Sequence, residues 1–317
     1  MNTKTIGKFT ATALCAISAA VLCGAARAEE PVGDEPELEE EESSAVSAEF
    51  SLAFDSKYLS YGFVDNNHPI LTPSGSLTFF DWFTIGAYAI FDVTKYGRRA
   101  GYTSRQWQCN EFHPNAEIRH SFGPEDFSWL PTTVELAIGY DYEYQPNCKH
   151  RGTAVEDEDT GDFLGYDRSL DEDTQYFTAE IGLPDLWFEP VFYYEQDVMR
   201  DHGAYLNLEI GHTFDLIEDV LTVRPSIAQG WGSAQRIAAY AWRKDDSERS
   251  YMGLMDTMVK CEFEWTVTDY LTVSAYGAYS DFLFDGGLRD SARRYEATEN
   301  WEHSWNFIGG LALTVAF

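Results

Sequence analysis

The sequence predicts a single all-β domain, a transmembrane antiparallel β-barrel of about twelve strands with short turns at one end and long loops at the other. Three observations carry this. From Val46 onward apolar and polar residues alternate with period two, almost without interruption. The connections between the alternating segments switch regularly between short and long. The chain also joins an export signal at its start to an alternating apolar run, GGLALTVAF, over its final residues.

The first element is the export signal, residues 1–28. Lys4 and Lys8 supply a positive start, an apolar stretch runs from Phe9 to Ala26, and Ala26-Arg27-Ala28 supplies small residues at a cleavage site. Cys23 follows Leu22, where a lipid-attachment site wants Gly, Ala or Ser, so ordinary cleavage is expected. Residues 29–44, EEPVGDEPELEEEESS, are too acidic and Pro-rich to bury a core and should form a solvated, disordered linker on the periplasmic side. Nothing later approaches the roughly 18 apolar residues that a spanning helix needs.

The barrel then occupies residues 45–317. Strands are expected near 46–56, 70–80, 83–93, 113–122, 133–144, 175–183, 187–196, 204–214, 220–230, 254–266, 270–281 and 304–317. In TTVELAIGYDYEY, Val134, Leu136, Ile138, Tyr140, Tyr142 and Tyr144 face one way, and Glu135, Ala137, Gly139, Asp141 and Glu143 the other. Successive side chains of a strand point to opposite faces, whereas a helix would smear this pattern around its circumference. Strands of about ten residues suit a tilted crossing of the bilayer. Short turns fall at Asp81-Trp82, Pro184-Asp185-Leu186, 215–219 and Thr268-Asp269, with GPEDFSWLPT somewhat longer. Long loops fall at 57–69, 94–112, 145–174, 231–250 and 282–303, and 197–203 is the short exception. An even strand count returns both ends of the barrel to one side.

A soluble β-sandwich would also alternate. Its polar face would meet bulk water and be rich in Lys, whereas here that face is rich in Gly, Ser, Thr, Tyr and Glu. Aromatic residues also gather at strand ends, as two membrane-interface girdles would require. Trp82, Phe83, Trp129, Trp187, Phe214, Trp265 and Tyr270 lie near the short turns. Tyr58, Tyr61, Tyr142, Tyr144, Trp231, Tyr279, Phe282, Trp301 and Trp305 lie near the loops. The final strand must close against the first, because lipid tolerates no open sheet edge. Its apolar face, Leu311, Leu313, Val315 and Phe317, resembles the C-terminal signal by which bacterial outer-membrane proteins enter the barrel-assembly machinery.

The polar face carries the chemistry. Glu117, Glu135, Asp141, Glu143, Glu180, Glu209, Glu262 and Glu264 alternate inward, as do Glu49, Asp55, Asp92, Glu189, Glu195 and Asp256. Inward bases are few: Arg119, Arg224 and Lys260. These are the expected pore-lining residues, and their imbalance favours cations over anions. Twelve strands lie between barrels packed shut and barrels that hold an open channel, so the lumen could be open or plugged. A net charge of -31, near -34 once Lys4, Lys8 and Arg27 leave with the signal, argues against nucleic acid as a partner.

Other chemistry is sparse. Cys15 and Cys23 leave with the signal, a disulfide between Cys109 and Cys148 on successive long loops is expected, and Cys261 should be an inert lipid-facing thiol. The run Asp157-Glu158-Asp159-Thr160-Gly161-Asp162 lacks the spacing of an EF-hand and reads as a solvated acidic loop, so neither a metal site nor a cofactor is expected. His68 and Ser74 depart from the His-x-Ser arrangement of outer-membrane phospholipases, and no hydrolase, zinc-protease or phosphate-loop motif occurs. No enzyme is expected.

The opening of the barrel, SLAFDSKYLSYGFVDNNHPILTPSGSLTF, resembles the first hairpin of small TorF-type putative porins. Ser56, Tyr58, Gly62 and Pro69 match that layout, and Tyr61 departs from it where those proteins often carry Arg. The resemblance covers about thirty residues. It implies an outer-membrane porin-like protein and transfers no site residues. The resulting expectation is passive, cation-preferring diffusion of small solutes through a barrel whose partners are outer-membrane lipid, the assembly machinery and the solutes themselves. The alternative is a closed barrel that is structural or acts through its loops; an outer-membrane hydrolase comes third.

Overall fold

The period-two pattern becomes twelve hydrogen-bonded strands that close on themselves. The structure is a computed structural model and describes residues 46–94, 106–146, 153–156, 163–167, 173–241, 251–293 and 303–317. The signal and the acidic linker lie outside these residues. The barrel strands are β1 (Val46–Asp55), β2 (Ile70–Phe79), β3 (Phe83–Asp92), β4 (Gln108–Phe122), β5 (Val134–Glu143) and β6 (Thr174–Gly182). They continue as β7 (Val191–Asp197), β8 (Ala204–Gly211), β9 (Leu221–Gly232), β10 (Gly253–Thr268), β11 (Leu271–Asp281) and β12 (Asn306–Ala316).

Each strand pairs antiparallel with its neighbours in the chain, and β12 returns to β1. The closing register sets Leu52 against Leu313 and Phe54 against Leu311. The ladder runs to the last residue: Ala48 N donates to Phe317 O at 3.1 Å and Phe317 N to Ala48 O at 2.9 Å. Phe317 also stacks on Tyr270, with ring centres 6.4 Å apart. Closure matters because hydrocarbon offers no hydrogen bonds, so an unpaired sheet edge would leave a row of unsatisfied amides. Leu52, Phe54, Ile85, Ile118, Ile138, Phe177, Phe192, Leu206, Phe263 and Leu311 project outward and are exposed. No helix among the described residues is long and apolar enough to cross a membrane.

Three boundaries differ from the sequence expectation, each for a local reason. β4 begins at Gln108, not near 113, because a bulge shifts the register: Ile90 pairs with Glu111 and Phe91 with Cys109, leaving Asn110 as the extra residue. The bulge interrupts the alternation and hides the start of the strand. β7 begins at Val191, because the chain turns twice between Leu183 and Pro190, with Leu186 N donating to Leu183 O and Glu189 N to Leu186 O. Glu189 is left-handed there, at φ 39°. β8 pauses after Gly211, opposite Pro225, which has no N–H for the ladder. Pairing with β9 resumes in the same register at Phe214 and Asp215, and a bulge shifts it by one residue before Ile217.

The long-loop end differs most. A small hairpin, Tyr58–Ser60 with Phe63–Asn66, turns through Tyr61 (φ 51°) and Gly62 (φ 85°). Two left-handed central residues make the tight turn whose twist matches its strands. A Cβ on Gly62 would lie 2.5 Å from the Asp256 Cβ and 2.9 Å from the Phe282 ring, so the tip is pressed against β10 and the end of β11. Two short helices join it, α1 (Ala234–Tyr240), capped by Ser233, and α2 (Gly286–Ala292), capped by Asp285. Phe63, Tyr205, Ile237, Tyr240, Ala241, Met255, Phe282 and Leu288 form one buried cluster across the mouth. Burying each large apolar side chain contributes about 1.5–3 kcal/mol. This corrects the expected outer girdle at three positions. Tyr58, Tyr61 and Phe282 turn inward with the loops that carry them, instead of meeting lipid. The acidic run 157–162 and Trp301 lie outside the described residues; of loop 145–174, a second hairpin, Thr153–Glu156 with Phe163–Asp167, is described.

Because Leu311 is 60% exposed near the middle of the lipid-facing wall, Leu311→Arg is expected to destabilise the folded barrel by about 2–4 kcal/mol. Its inward neighbour Ala312, changed to Ser, should shift stability by no more than about 0.5 kcal/mol. Denaturant unfolding in lipid vesicles measures both.

Candidate functional site

The lumen has two zones. Toward the short turns it is a wall of hydrated ion pairs. Arg119 on β4 donates from Nε to Glu117 (2.9 Å) and from Nη1 to Glu180 on β6 (2.8 Å), and lies 3.9 Å from Glu135 on β5. Arg224 on β9 bonds Glu209 on β8 and reaches Glu189 at 3.4 Å. Lys260 on β10 pairs with Glu262 at 2.9 Å. The carboxylates come from the base's own strand or from elements up to two strands away, as the shared inward parity of the barrel allows. Among the described residues, Glu49 and Glu264 form no ion pair. The Arg119 side chain is 41% exposed and its three acids 28–37%, so water screens this network.

Toward the mouth the same face is drier, and phenols join the bases as partners of the acids. Tyr276 donates to Asp55 (2.7 Å), Tyr58 to Glu111 (3.2 Å), Tyr176 to Glu143 (2.6 Å) and Tyr205 to Asp256 (2.9 Å). Glu195 accepts from both Tyr61 and Tyr193. His113 lies between Asp141 (2.9 Å) and Glu111 (3.3 Å) and stacks on Tyr88, with ring centres 4.2 Å apart. A buried carboxylate needs hydrogen bonds to remain charged, and a phenol supplies one without adding charge.

The mouth is bridged by Arg236, the first large side chain of α1. Its guanidinium is wholly buried, 3.3 Å from Glu195 and 3.5 Å from Asp201, with its central carbon 4.4 Å from the centre of the Tyr61 ring. Burial works against this charge, but Tyr61, Glu195 and Asp201 hold its pKa above the ordinary value. Burial, reinforced by Glu195, likewise pushes the Tyr61 hydroxyl well up, so it stays a donor. Helix α1 comes this close because residue 203 is Gly: a Cβ there would stand 2.5 Å from the Arg236 nitrogen.

The expected pore-lining residues therefore divide. Glu117, Arg119, Glu135 and Glu180 come together as one network, Glu209 with Arg224 as a second, and Lys260 with Glu262 as a third. Glu264 stands toward the short turns, paired across β11 with Ser274. Asp141 and Glu143 belong to the dry zone, Asp141 against His113 and Glu143 under Tyr176 and Gln145. Leu311, Leu313, Val315 and Phe317 share the lipid-facing side of β12. Cys109 donates to the Glu111 carbonyl at 3.3 Å; Cys148 lies outside the described residues. Cys261 shares its face with the exposed Val259 and Phe263. Sequence reasoning missed Glu111, Arg200 and Arg236. Glu111 lay before the assumed start of β4, Arg200, 3.8 Å from Glu143, lies in the loop after β7, and Arg236 lies on a short helix inside a long loop. Among the described residues no group of His, Cys, Asp and Glu could hold a metal ion.

No family model matches the chain, and no curated protein matches it. Among solved structures it is similar to an outer membrane channel from Pseudomonas putida F1, at 11% identity and a TM-score of 0.44, covering 91% of this chain and 100% of that one. It is also similar to the NanC porin, at 6% identity and a TM-score of 0.41, covering 84% and 98%. A third is the outer membrane channel DcaP of Acinetobacter baumannii, at 8% identity and a TM-score of 0.31, covering 86% and 96%. The barrel assignment itself rests on the protein's own closed strand order.

Because the Arg119 network is hydrated, Arg119→Ala is expected to lower stability by no more than about 1 kcal/mol. Denaturant midpoints of the refolded proteins measure this. A loss of several kcal/mol would mean that this half of the lumen is dry.

Proposed function

We propose that the protein is an outer-membrane porin-like channel for passive, cation-preferring diffusion of small hydrophilic solutes. The observation that carries this reading is the surplus of acid in the hydrated half of the lumen. Each of the three bases there already faces acid, Glu135 shares Arg119 with two other carboxylates, and Glu49 and Glu264 form no ion pair among the described residues. Charge in a narrow path with low-dielectric walls concentrates counter-ions and repels co-ions. The resemblance of the opening hairpin to TorF-type porins agrees with this reading. So does the leader at residues 1–28, which would export the chain and leave residues 29–44 as a periplasmic linker. The apolar face of Leu311, Leu313, Val315 and Phe317 would present the chain to the barrel-assembly machinery.

The second reading is a closed barrel that acts through its loops, and the packed cluster of Phe63, Ile237, Met255, Phe282 and Leu288 across the mouth favours it. Single-channel recording under a KCl gradient separates the two. Steady openings with a cation-selective reversal potential are expected, and Glu49→Gln, Glu135→Gln and Glu264→Gln together should move that potential toward zero. Anion selectivity would remove the cation preference. Silence from inserted, folded protein would favour the closed barrel.

The expected Cys109–Cys148 bridge belongs to the same reading, as a tie between two loops. Titration of the denatured, unreduced mature protein should find one free thiol, rising to three after reduction. Three before reduction would eliminate the bridge.

A further inference from the structure

Arg236 is held differently from every other base described in the lumen. Arg119, Arg224 and Lys260 are partly hydrated, whereas the Arg236 side chain is 0% exposed. Its surroundings form a cage. The Tyr61 ring lies under the guanidinium at 4.4 Å and the Tyr176 ring at 5.8 Å. Tyr205 and Tyr240 pack against Tyr61, with ring centres 4.8 Å and 5.2 Å away. Two carboxylates, Glu195 and Asp201, serve one guanidinium. Both are oriented by other groups, Glu195 by the Tyr61 and Tyr193 hydroxyls and Asp201 by the Gly203 amide. Aromatic faces with a carboxylate in the plane are what a flat cation needs.

The fit is incomplete in an informative way. Arg236 Nη2 bonds the Gly203 carbonyl at 3.3 Å, but Nε and Nη1 form no hydrogen bond among the described residues, and neither does Asp201 Oδ2. Nε and Asp201 Oδ2 face one another 3.5 Å apart without the angle a bond requires. The side chain is tethered to α1, a constraint that an untethered cation does not share. Tyr61, the floor of the cage, sits at a left-handed position of the hairpin turn, a conformation that costs a non-glycine residue about 1–3 kcal/mol. Its contacts with Arg236 and Glu195 hold it there.

We propose that the cage of Tyr61, Tyr176, Glu195 and Asp201 is a binding site for planar organic cations of the guanidinium class, that Arg236 fills it as a tethered ligand, and that this occupancy pins the 58–66 hairpin across the mouth. The proposal deepens the channel reading by naming the cation class that meets the constriction and the contact that closes it.

The test is chemical rescue of Arg236→Ala, read by hydrogen exchange over residues 58–66 and by melting temperature in detergent. Exchange over the hairpin should be at least about tenfold faster than in the unsubstituted protein. Millimolar methylguanidinium should restore protection and raise the melting temperature of the variant by roughly 3 °C. Methylammonium at equal concentration should do neither, and the unsubstituted protein, whose cage is filled, should not respond. Unchanged exchange in the variant, equal action of the two cations, or an equal shift in the unsubstituted protein would each overturn the proposal. If Arg236→Ala does not fold, Arg236→Lys keeps the charge and loses the plane. It should loosen the hairpin in the same way, and full protection in it would overturn the proposal. Neither readout needs conductance. Rescue in a barrel that passes no current removes the channel and keeps the site; a conducting barrel without rescue does the reverse.

Discussion

The constraint on which the rest of the structure depends is the seam between β12 and β1. A sheet in hydrocarbon cannot end, because each unpaired amide at its edge would cost several kcal/mol. The chain therefore has to bring its last strand back to its first, with Phe317 bonded to Ala48 and Leu313 beside Leu52. Once the seam is made, the other properties follow. Closure fixes the number of strands that share the wall, and with it the width of the lumen. It also fixes parity, because a one-residue slip anywhere would turn a row of leucines inward and a row of glutamates into lipid.

Parity in turn decides where charge can sit. The inward face cannot be apolar if the lumen holds water, and it cannot hold many carboxylates if the lumen is dry. This protein grades between those limits. Near the short turns, Glu117, Glu135 and Glu180 share Arg119, and water supplies the remaining solvation. Near the mouth, where the hairpin and the two helices exclude water, each of Asp55, Glu111, Glu143, Glu195 and Asp256 accepts from a tyrosine hydroxyl, and Glu195 also meets Arg236. Phenols let acids remain inside a crowded section with fewer bases than carboxylates, because each hydroxyl supplies a hydrogen bond without adding charge.

The wall was legible in the sequence because its signal is local. Leu136 and Ile138 against Glu135 and Ala137 state the two faces within four residues, and a turn such as Thr268-Asp269 states where the strand reverses. The signal failed where a backbone irregularity broke the period, as at the Asn110 bulge, which concealed Glu111. The mouth was legible only in part. Ser233 before Ala234–Tyr240, and Asp285 before Gly286–Ala292, are readable caps on short helices. That these helices and the 58–66 hairpin meet over the lumen depends on contacts between residues far apart in the chain, such as Tyr61 with Glu195 and Gly62 with Asp256. No period encodes such contacts. Tyr58 and Tyr61 were therefore assigned to an interface girdle, since an aromatic residue after a strand end looks the same whether its loop turns outward or in.

A filled mouth above a hydrated lumen is consistent with a single design. The wall is held by a ladder in which each strand is bonded on both sides, so no local change opens it. The mouth is held by side-chain packing, the buried Arg236 with its two carboxylates and a turn with a strained tyrosine, and each of these can be lost without breaking a rung of the ladder. Segments held by side-chain contacts open locally at lower free energy than strands bonded on both sides. A structure of this kind can exchange a closed mouth for an open one at the cost of a few side-chain contacts. The arrangement that closes it is concentrated where Arg236, Tyr61 and Glu195 meet.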